Sequence, residues 1–509
     1  MANLMLSIIF RVDCSVKIGT GHFMRCLTLA AELQNNSSHA VKVTFITRDL
    51  PNYFCDLLEK NGISHYSLES TEVLKSSGDL RHSDWLSVSQ EVDADEVNKV
   101  LDKHSYDWLI VDHYALDSRW ESLVRPNVKW LMAIDDIADR EHACDLLVDA
   151  NFYLDLKTRY KGKFLKDCQL LMGPRYALLR SEFRETRKLV KARSGEIHKV
   201  LVFFGGVDEK NYTNTVIEAL ASFKNLFEVV VIIGELNLNR AKVEGNCRTH
   251  GFSFLIQVND IASIMLGVDL CIGAGGTAIW ERCCLGLPTI TLATSSNQDQ
   301  QVSDAASAGI LYAPLSNADL IGVIQLHVSA MLGNPVLLQR ISNAAFDMVD
   351  GQGALRVARI MNGYTIKIRR ATHSDSKSIY EWRNDPGIRD ASKNSNKLTW
   401  DDHEKWIKKI ISDADHELLV GEINGVPIGV VRLDKIGECY EISIYLVPDR
   451  YSKGYGPSLL LAAERWLISE RPEIKKIRAT VLDKNEKSLK LFSGANYTRR
   501  IVIYEKELD

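Results

Sequence analysis

The chain has 509 residues, of which 46% are hydrophobic and 25% are charged, and its formal net charge is -4. At about 100–200 residues per domain, this length and balance predict a globular protein with two to four domains. The small net charge gives no indication of a nucleic-acid or acidic membrane partner. Ten cysteines without a CxxC pair, and the lack of an apolar run long enough to cross a bilayer, predict a soluble cytoplasmic protein.

The N-terminal stretch predicts a strand, a glycine-bearing loop and a helix. Residues 6–10 are apolar and are typical of a buried strand. The following apolar residues recur at helical spacing: Phe23, Cys26, Leu27, Ala30 and Leu33. Gly19 and Gly21 in the loop let the backbone approach a ligand, and His22 stands where the helix begins, in a place that suits an anion. Because an imidazole exchanges protons near neutral pH, we expect a catalytic centre here, with a plain tight turn as the alternative.

Strand and helix signals then alternate up to about residue 185. A helix is predicted around residues 54–59, and strands at residues 41–47, 106–114 and 128–136. Polar side chains follow the last two strands, namely Asp112, His113, Tyr114, Asp135 and Asp136. Since ligands bind at the carboxyl ends of strands in open parallel sheets, this pattern predicts a doubly wound α/β lobe over residues 1–190.

A second α/β series is predicted over residues 191–362. The basic segment at residues 184–199 is interpreted as a hinge before it, with a solvated helix as the alternative. Strands are predicted at residues 199–204, 228–234, 252–256, 268–273, 289–293 and 310–313. Two Rossmann-like lobes in tandem are what a glycosyltransferase-B architecture contains.

A second glycine loop lies between a strand of this series and a helix that begins at Thr277. Backbone N–H groups around Gly275 and Gly276 are suited to a diphosphate, and the helix N-terminus adds a favourable field. Glu281, one turn into the helix, is a candidate acceptor for ribose hydroxyls. Two residues after the next strand, Asn297 and Gln298, are candidates to reach the sugar or the phosphates. The alternative is a glycine turn followed by a solvated glutamate.

Six ordered blocks within residues 6–361 together resemble one enzyme family. The blocks are RVDCSVKIGTGHFMRCLTLA, VDHYALDSRWE, AIDDIADREHACDLLVDAN, GPRYALLRSEF, VFFGGVDEKNYT and GAGGTAIWERCCLGLP. The family is the UDP-2,4-diacetamido-2,4,6-trideoxy-β-L-altropyranose hydrolases (PseG type) of pseudaminic acid biosynthesis. The resemblance implies a MurG-related glycosyltransferase-B fold that releases UDP to water with inversion and without a metal. It identifies His22 with the catalytic histidine, and the GAGGT loop with Glu281 as the UDP-binding region.

The residues agree with that chemistry. Neutral imidazole, with an ordinary pKa of about 6.5, is a good base for water. Asp13, Arg25 and Tyr114 are further candidates to orient His22, to hold phosphate or to touch the sugar, and a structural role stays open for each. No pair of carboxylates favours the two-acid scheme of glycosidases.

A third domain is predicted over residues 365–509. A strand at residues 364–372 is followed by a hairpin that turns at Asn424-Gly425, a strand at residues 438–448, a glycine loop and a helix. This order resembles the GNAT N-acetyltransferases (PseH-like). The resemblance implies acetyl-CoA as co-substrate, held by Leu446, Val447, Lys453, Gly454, Gly456 and Asn485.

The third domain departs from the GNAT pattern in its loop and in its last helix. Tyr451 takes the place of the usual Arg or Gln, and Pro457 removes one amide from the phosphate cradle. Phe492 takes the place of the common tyrosine acid, which leaves the proton donor unassigned. Glu441 is a candidate base for the amine.

Together these features predict a bifunctional enzyme. The third domain would acetylate the 4-amino group of a UDP-sugar, and the first two lobes would then hydrolyse UDP from the diacetamido product. A glycosyltransferase that uses an acceptor alcohol, or a sugar-nucleotide-binding protein with an inactive GNAT domain, are the alternatives.

Overall fold

The computed structural model describes residues 5–36, 40–48, 50–69, 79–314, 319–392, 394–423, 425–448, 455–495 and 497–500. Their contacts divide the chain into two compact units. One unit consists of residues 6–35 and 41–357 and contains two sheets, each of which forms a lobe. The other unit contains the third sheet and the residues from 358 onward.

The first lobe is built on a seven-stranded sheet. Its strands are β1 (Met5–Val12), β2 (Ala40–Thr47), β3 (Ser64–Ser67), β4 (Tyr106–Asp112), β5 (Val128–Ile134), β6 (Leu146–Asp149) and β7 (Gln169–Met172). Its helices are α1 (Gly21–Asn36), α2 (Asn52–Lys60), α3 (Gln90–Leu101), α4 (Ser118–Val124) and α5 (Ser181–Arg187). The strand order is β3-β2-β1-β4-β5-β6-β7, so successive strands are added on one side of β1 up to β3 and on its other side from β4 onward. β1 and β4 pair in parallel, with Val12 opposite Asp112. At such a switch point the loops after both strands diverge and leave a crevice for a ligand.

The second lobe repeats this plan with five strands in the order β10-β9-β8-β11-β12. The strands are β8 (Lys199–Phe203), β9 (Glu228–Ile233), β10 (Ser253–Ile256), β11 (Leu270–Ala274) and β12 (Thr289–Leu292). The helices are α6 (Tyr212–Leu220), α7 (Arg240–His250), α8 (Ile261–Leu266), α9 (Ala278–Cys284), α10 (Asp299–Ser307), α11 (Leu320–Leu332) and α12 (Pro335–Met348). The next helix, α13 (Gly353–Tyr364), begins in this unit and continues into the residues of the other one. Its switch point lies between β8 and β11, directly before the glycine loop.

Two expectations about these lobes were wrong. The apolar run at residues 310–313 is not a strand, because only Tyr312 forms a bridge to β12, while Ile310 and Leu311 pack into the core. The basic segment at residues 184–199 is not a solvated helix. It is helical only as far as Arg187, and the guanidinium groups of Arg187 and Arg193 donate to backbone carbonyls of the second lobe.

The third sheet has the order β13-β14-β15-β16-β17 and is antiparallel except for its last pair. Its strands are β13 (Lys367–Arg370), β14 (His416–Ile423), β15 (Val426–Ile436), β16 (Cys439–Leu446) and β17 (Ile477–Arg478). Its helices are α14 (Ser376–Arg383), α15 (Pro386–Asp390), α16 (Trp400–Ser412), α17 (Tyr455–Glu470) and α18 (Glu486–Gly494). The predicted hairpin is confirmed, since Ile423 lies opposite Val426 and Gly425 has φ +76°; Asn424 lies outside the described residues.

Within the described ranges, no single helix combines the length and apolar character needed to span a membrane. One pair of helical segments, residues 320–332 and 335–364, passes together on length and composition but is bent by 96°.

Helix α17 lies so close to the third sheet that a glycine is required beneath it. A Cβ atom on Gly429 would lie 2.4 Å from Cδ2 of Leu459 and 2.7 Å from the carbonyl oxygen of Tyr445. Overpacking of this kind costs about 1–3 kcal/mol, so Gly429→Ala should lower the free energy of unfolding of this unit by that amount in chemical denaturation. Gly494→Ala, with nothing within 4 Å of its Cβ, is the matched control. Equal stability of the two variants would contradict the packing argument.

Candidate functional site

The switch point of the first lobe brings a histidine and an aspartate together. His22 lies in the first turn of α1, and its Nδ1 is 2.5 Å from Oδ1 of Asp112, the last residue of β4. An ionised carboxylate only accepts hydrogen bonds, so Nδ1 carries a proton, and in the neutral imidazole the lone pair lies on Nε2. Within the described part of the chain, Nε2 of His22 has no hydrogen-bond partner. This is the arrangement of a general base oriented by a carboxylate.

Arg25 keeps Asp112 ionised. Its Nε and Nη2 donate to the two carboxylate oxygens of Asp112 at 2.6 and 2.7 Å, and its Nη1 donates to Asp136 at 2.9 Å. Burial alone would raise the pKa of Asp112, but the charge of Arg25 and the hydrogen bond to His22 hold it well below its usual range. All three guanidinium nitrogens thus have carboxylate partners, and a contact of Arg25 with a substrate phosphate through its remaining N–H groups stays a prediction.

Asp13 belongs to a separate buried ion-pair network. Its two oxygens accept from Nη1 and Nη2 of Arg11 at 2.6 and 2.9 Å, and Oδ1 also accepts from the backbone N–H of Arg48. Nε2 of His113 lies 3.3 Å from Oδ2 of Asp13. The orienting contact expected from Asp13 is therefore made by Asp112, one of the polar residues predicted at the same sheet edge.

Two aromatic rings enclose His22. The Tyr114 ring meets the His22 ring edge to face at 4.6 Å, and Trp85 stacks on Tyr114 with centroids 5.1 Å apart. The Tyr114 hydroxyl donates to Oδ1 of Asp136, and burial raises the pKa of Tyr114 well above its usual value, so the hydroxyl stays protonated. Tyr114 thus touches the predicted base, whereas Trp85 was missed; a lone tryptophan among polar residues in SDWLSVSQ was the available signal.

The second lobe presents its glycine loop directly before α9. Gly276 has φ +76°, and its N–H donates to Oε1 of Gln301 at 3.2 Å. A Cβ on Gly275 would lie 2.7 Å from Oε1 of Gln298, so the predicted Gln298 does pack against this loop. Of the first N–H groups of α9, those of Ile279 and Trp280 donate to the carbonyl oxygens of Gly276 and Thr277, whereas that of Ala278 has no hydrogen bond to a described residue. A small anion is the ligand that such a loop fits.

The other predicted residues of this loop lie at its margin. Glu281 is 3.7 Å from Nη2 of Arg180, and burial raises the pKa of its carboxyl group. Asn297 lies in a short 3-10 turn after β12, and its Oδ1 accepts from the hydroxyl of Ser295.

The glycine loops of the two lobes face each other. A Cβ on Gly21 would lie 3.8 Å from Oγ1 of Thr277, and a Cβ on Gly206 would lie 2.5 Å from Oγ1 of Thr20. Gly19, with φ +83°, shapes the turn that brings Thr20 and Gly21 to this position. His22 and the glycine loop of the second lobe therefore border one cleft. Gly206 was not singled out from the sequence, although a GG pair directly after β8 was a usable signal.

One group of described residues has the spacing of a metal site, namely Glu121, His142 and Cys144. However, Nδ1 of His142 lies 2.7 Å from Glu121 and Nε2 lies 3.6 Å from Asp135. Burial alone would lower the pKa of His142, but these two carboxylates raise it to about 9. A protonated imidazolium has no lone pair for a metal, so this group is an ion-pair cluster. That the reaction needs no metal stays a prediction.

The His142 cluster predicts a pH-dependent stability. Since the pKa of His142 is raised from 6.5 to about 9 in the folded chain, its contribution is complete below pH 6.5 and is lost as the pH rises through 9. The free energy of unfolding should fall over this window by at most about 3 kcal/mol more in the wild type than in His142→Gln. Denaturation at pH 6, 7.5 and 9 measures this difference. Parallel pH profiles for the two proteins would contradict it.

In the third sheet, the predicted coenzyme residues lie where two strands separate. Among the described residues, β16 pairs with β17 at Tyr440 and Glu441, and no described strand pairs with the rest of that edge of β16. The N–H of Val447 donates to the carbonyl of Ile428 on β15. Because neighbouring residues of a strand point to opposite sides, the backbone of Leu446 faces that edge, whereas the N–H of Val447 is already used.

The remaining predictions for this domain have mixed outcomes. Lys453, Gly454 and Tyr451 lie outside the described residues. Gly456 lies in the first turn of α17. Oδ1 of Asn485 caps α18 by accepting from Ser488, and its Nδ2 donates to the carbonyl of Ala391. Both polar side-chain atoms of Asn485 thus have partners within the domain, and the place of this residue near the pantetheine stays a prediction.

Comparisons with known proteins agree with this arrangement. Residues 200–321 match the Glycosyltransferase family 28 C-terminal domain, and residues 365–496 match the Acetyltransferase (GNAT) domain. An uncharacterized protein of Methanocaldococcus jannaschii is 23% identical over 503 residues, which cover 96% of each chain. A UDP-2,4-diacetamido-2,4,6-trideoxy-beta-L-altropyranose hydrolase of Campylobacter jejuni is 23% identical over 307 residues, which cover 60% of this chain and 97% of that one. The structure of Acinetobacter baumannii MurG covers 70% of this chain and 99% of its own at 12% identity, with a TM-score of 0.47.

The sheet topologies and the two domain matches confirm the predicted fold class, two Rossmann-like lobes of glycosyltransferase-B type followed by an α+β GNAT domain. The domain boundaries at residues 190 and 362 stay predictions. The chain is a fusion of a region homologous to UDP-2,4-diacetamido-2,4,6-trideoxy-β-L-altropyranose hydrolases, with a glycosyltransferase family 28 C-terminal domain, and a C-terminal GNAT domain.

Proposed function

We propose that the first two lobes hydrolyse UDP-2,4-diacetamido-2,4,6-trideoxy-β-L-altropyranose to UDP and the free sugar. The observation that carries this proposal is the buried pair of His22 and Asp112, whose free Nε2 borders the same cleft as the glycine loop before α9. One element supplies a base and the other supplies N–H groups for an anion. Hydrolysis of a sugar diphosphate needs both.

In the proposed reaction, the oxygen of a water molecule attacks C1 of the sugar while the bond from C1 to the UDP oxygen breaks. Nε2 of His22 takes the proton of the water, and Asp112 stabilises the imidazolium that forms. UDP leaves as an anion, and its charge is met by the N–H groups around Gly276 and the start of α9. A single displacement from the opposite face inverts the anomeric centre.

We propose that the GNAT domain supplies the substrate of this step. The 4-amino group of a UDP-4-amino-4,6-dideoxy sugar attacks the thioester carbonyl of acetyl-CoA, the carbon–sulfur bond breaks, and the amine proton leaves as the thiolate is protonated. The edge of β16 at Leu446, with which no described strand pairs, supports binding of an extended pantetheine chain.

A cluster of arginines supports an anionic acceptor for this domain. Nη1 of Arg383 and Nε of Arg389 are buried and have no hydrogen-bond partner among the described residues. Burial and the nearby charges of Arg432 and Arg389 lower the pKa of Arg383. A buried guanidinium group without a carboxylate is costly unless an anion joins it, and the diphosphate of a UDP-sugar is such an anion.

The full chain, given the UDP-amino sugar with and without acetyl-CoA, tests the function by mass spectrometry of the products. We expect the acetylated UDP-sugar first, then UDP and free diacetamido sugar, with water as the only acceptor. UDP release that is equally fast without acetyl-CoA would contradict the ordered scheme. Transfer to an added alcohol would favour a glycosyltransferase, and UDP binding without turnover would favour a binding protein.

The glycine loop of the second lobe predicts a loss of nucleotide affinity on substitution. In Gly275→Ala, the new Cβ would lie 2.7 Å from Oε1 of Gln298 and 2.9 Å from Cγ2 of Val302, so the loop must move. We expect the Kd for UDP to rise by about tenfold or more, equivalent to about 1.4 kcal/mol, in isothermal titration calorimetry. Gly245→Ala, an exposed helical position of the same lobe with nothing within 4 Å of its Cβ, is the control. An unchanged Kd of Gly275→Ala for UDP would show that the diphosphate does not bind at this loop.

A further inference from the structure

A continuous series of side chains connects the glycine loop of one lobe to the other lobe. The N–H of Gly276 donates to Oε1 of Gln301 at 3.2 Å, and Nε2 of the same amide donates to Oδ1 of Asn151 at 2.7 Å. Nδ2 of Asn151 then donates to Oδ2 of Asp136 at 3.2 Å. Asn151 follows β6 of the first lobe and Gln301 lies on α10 of the second, so this series crosses between the lobes.

Asp136 also connects this series of hydrogen bonds to His22, the predicted base. Its Oδ2 accepts from Nη1 of Arg25, and the other two nitrogens of Arg25 hold Asp112, which accepts from Nδ1 of His22. Gln301, Asn151 and Asp136 are 2%, 5% and 8% exposed, so water competes little for these bonds. Buried hydrogen bonds polarise one another, and a change at one end alters the geometry at the next.

Asn151, like Gln301, accepts on one side of this series and donates on the other, and it contacts residues of both lobes. Its Oδ1 accepts from Gln301 and also from Nε1 of Trp280 at 2.9 Å, while its Nδ2 faces Asp136. A diphosphate at the glycine loop would compete with Gln301 for the N–H of Gly276. The Gln301 amide must then readjust, and Asn151 is the residue that it holds.

We propose that Asn151 is a positioning residue that transmits occupation of the diphosphate loop to His22, through Asp136 and Arg25. This inference rests on the proposed function, because it takes UDP as the occupant of the loop. Its consequence is that the proton affinity of His22 differs between the empty and the UDP-bound enzyme. The titratable and charged groups that face His22 are Asp112 on β4, Arg25 on α1 and Tyr114 after β4.

The test is NMR of the histidine-labelled full chain, titrated with and without UDP. The His22 signal is identified by its loss in His22→Asn. We expect UDP to change the protonation equilibrium of His22 about threefold, or about 0.5 pH unit. In Asn151→Asp the acceptor for Gln301 and Trp280 remains, but the donor to Asp136 is replaced by a like charge, so less than a third of the change should remain.

Trp280→Phe removes the indole N–H together with the five-membered ring, and it keeps a benzene ring at this position. It should retain the UDP-induced change in the protonation equilibrium of His22. Retention would show that this change depends on the series through Asn151 and not on the hydrogen bond by which Trp280 holds the lobes together. If Asn151→Asp does not fold, Gln301→Met cuts the same series one residue earlier and should abolish the change. In Asn151→Asp, kcat should fall about tenfold with KM nearly unchanged.

The outcomes distinguish this inference from the function on which it rests. A UDP-induced change in Asn151→Asp equal to that of the wild type overturns the inference, even if hydrolysis is normal. If UDP binds to the wild type and shifts the protonation equilibrium of His22, but the UDP-sugar is not hydrolysed, the proposed reaction is overturned and the inference stands. Failure of UDP to bind the wild-type chain overturns both.

Discussion

His22→Asn should lower kcat for UDP release by roughly 10²–10⁴-fold, the range over which a positioned base acts. Asparagine is close in size to the proximal half of imidazole, but its amide does not take up a proton at neutral pH. The glycine loop of the second lobe is untouched, so the Kd for UDP should stay within about threefold of the wild type. Coupled assay of UDP release and calorimetry of UDP binding measure the two quantities separately.

His198→Asn is the matched control, because its side chain is 75% exposed and its charge partner is the exposed Glu196. It should show wild-type kcat. Turnover of His22→Asn at the wild-type rate would mean that another group takes the proton. A rise in the Kd for UDP with unchanged kcat would instead place His22 in ground-state binding.

Asp112→Asn should damage both catalysis and stability. An amide no longer fixes the proton on Nδ1 of His22, and loss of the corresponding carboxylate in a histidine triad costs about 10⁴-fold in kcat. Arg25 would keep only Asp136 as a charged partner, and breaking one side of a buried ion pair costs about 3–5 kcal/mol. Since the pKa of Asp112 lies well below its ordinary value, its stabilising effect is present above about pH 4 and is lost as the pH falls.

Denaturant unfolding at pH 7 and at pH 3.5, together with steady-state kinetics, checks this second prediction. The difference in unfolding free energy between wild type and variant should be largest at pH 7 and should shrink at acid pH. Asp167→Asn replaces an exposed aspartate of the same lobe and should leave both properties unchanged. A variant as stable as the wild type at pH 7, with full activity, would show that Asp112 does not support His22.

The loops that carry the candidate site were predictable, but the partners within it were not. A strand, glycines and a helical stripe are local patterns, and they located His22 and the loop at Gly275 and Gly276. The carboxylate that holds His22 is 90 residues away. Asp13, Asp112 and Asp136 all follow strand signals, and only the pairing of β1 with β4 decides which of them reaches the imidazole.

In the third domain too, the secondary-structure elements were predictable from the sequence, whereas the contacts between distant residues were not. The hairpin at Gly425 and the helix α17 followed from turn chemistry and apolar spacing. Residues 477–482, which are mostly apolar or β-branched, contain only the two-residue strand β17, because β16 and β17 do not pair beyond Glu441. The role of Asn485 as a helix cap depends on Ala391, which is distant in sequence.

The basic segment before the second lobe carries less external charge than its letters suggest. Arg187 and Arg193 direct their guanidinium groups at carbonyl oxygens, and Arg184 is paired with Glu32. Bonds from a cation to a carbonyl dipole anchor the polypeptide without needing an opposite charge. A polyanion passing this surface would meet fewer accessible cationic groups than a count of arginines implies, because Arg184 has a carboxylate partner and Arg187 and Arg193 are directed at backbone carbonyls. Added salt would screen mainly the exposed pairs Lys188–Glu185 and His198–Glu196.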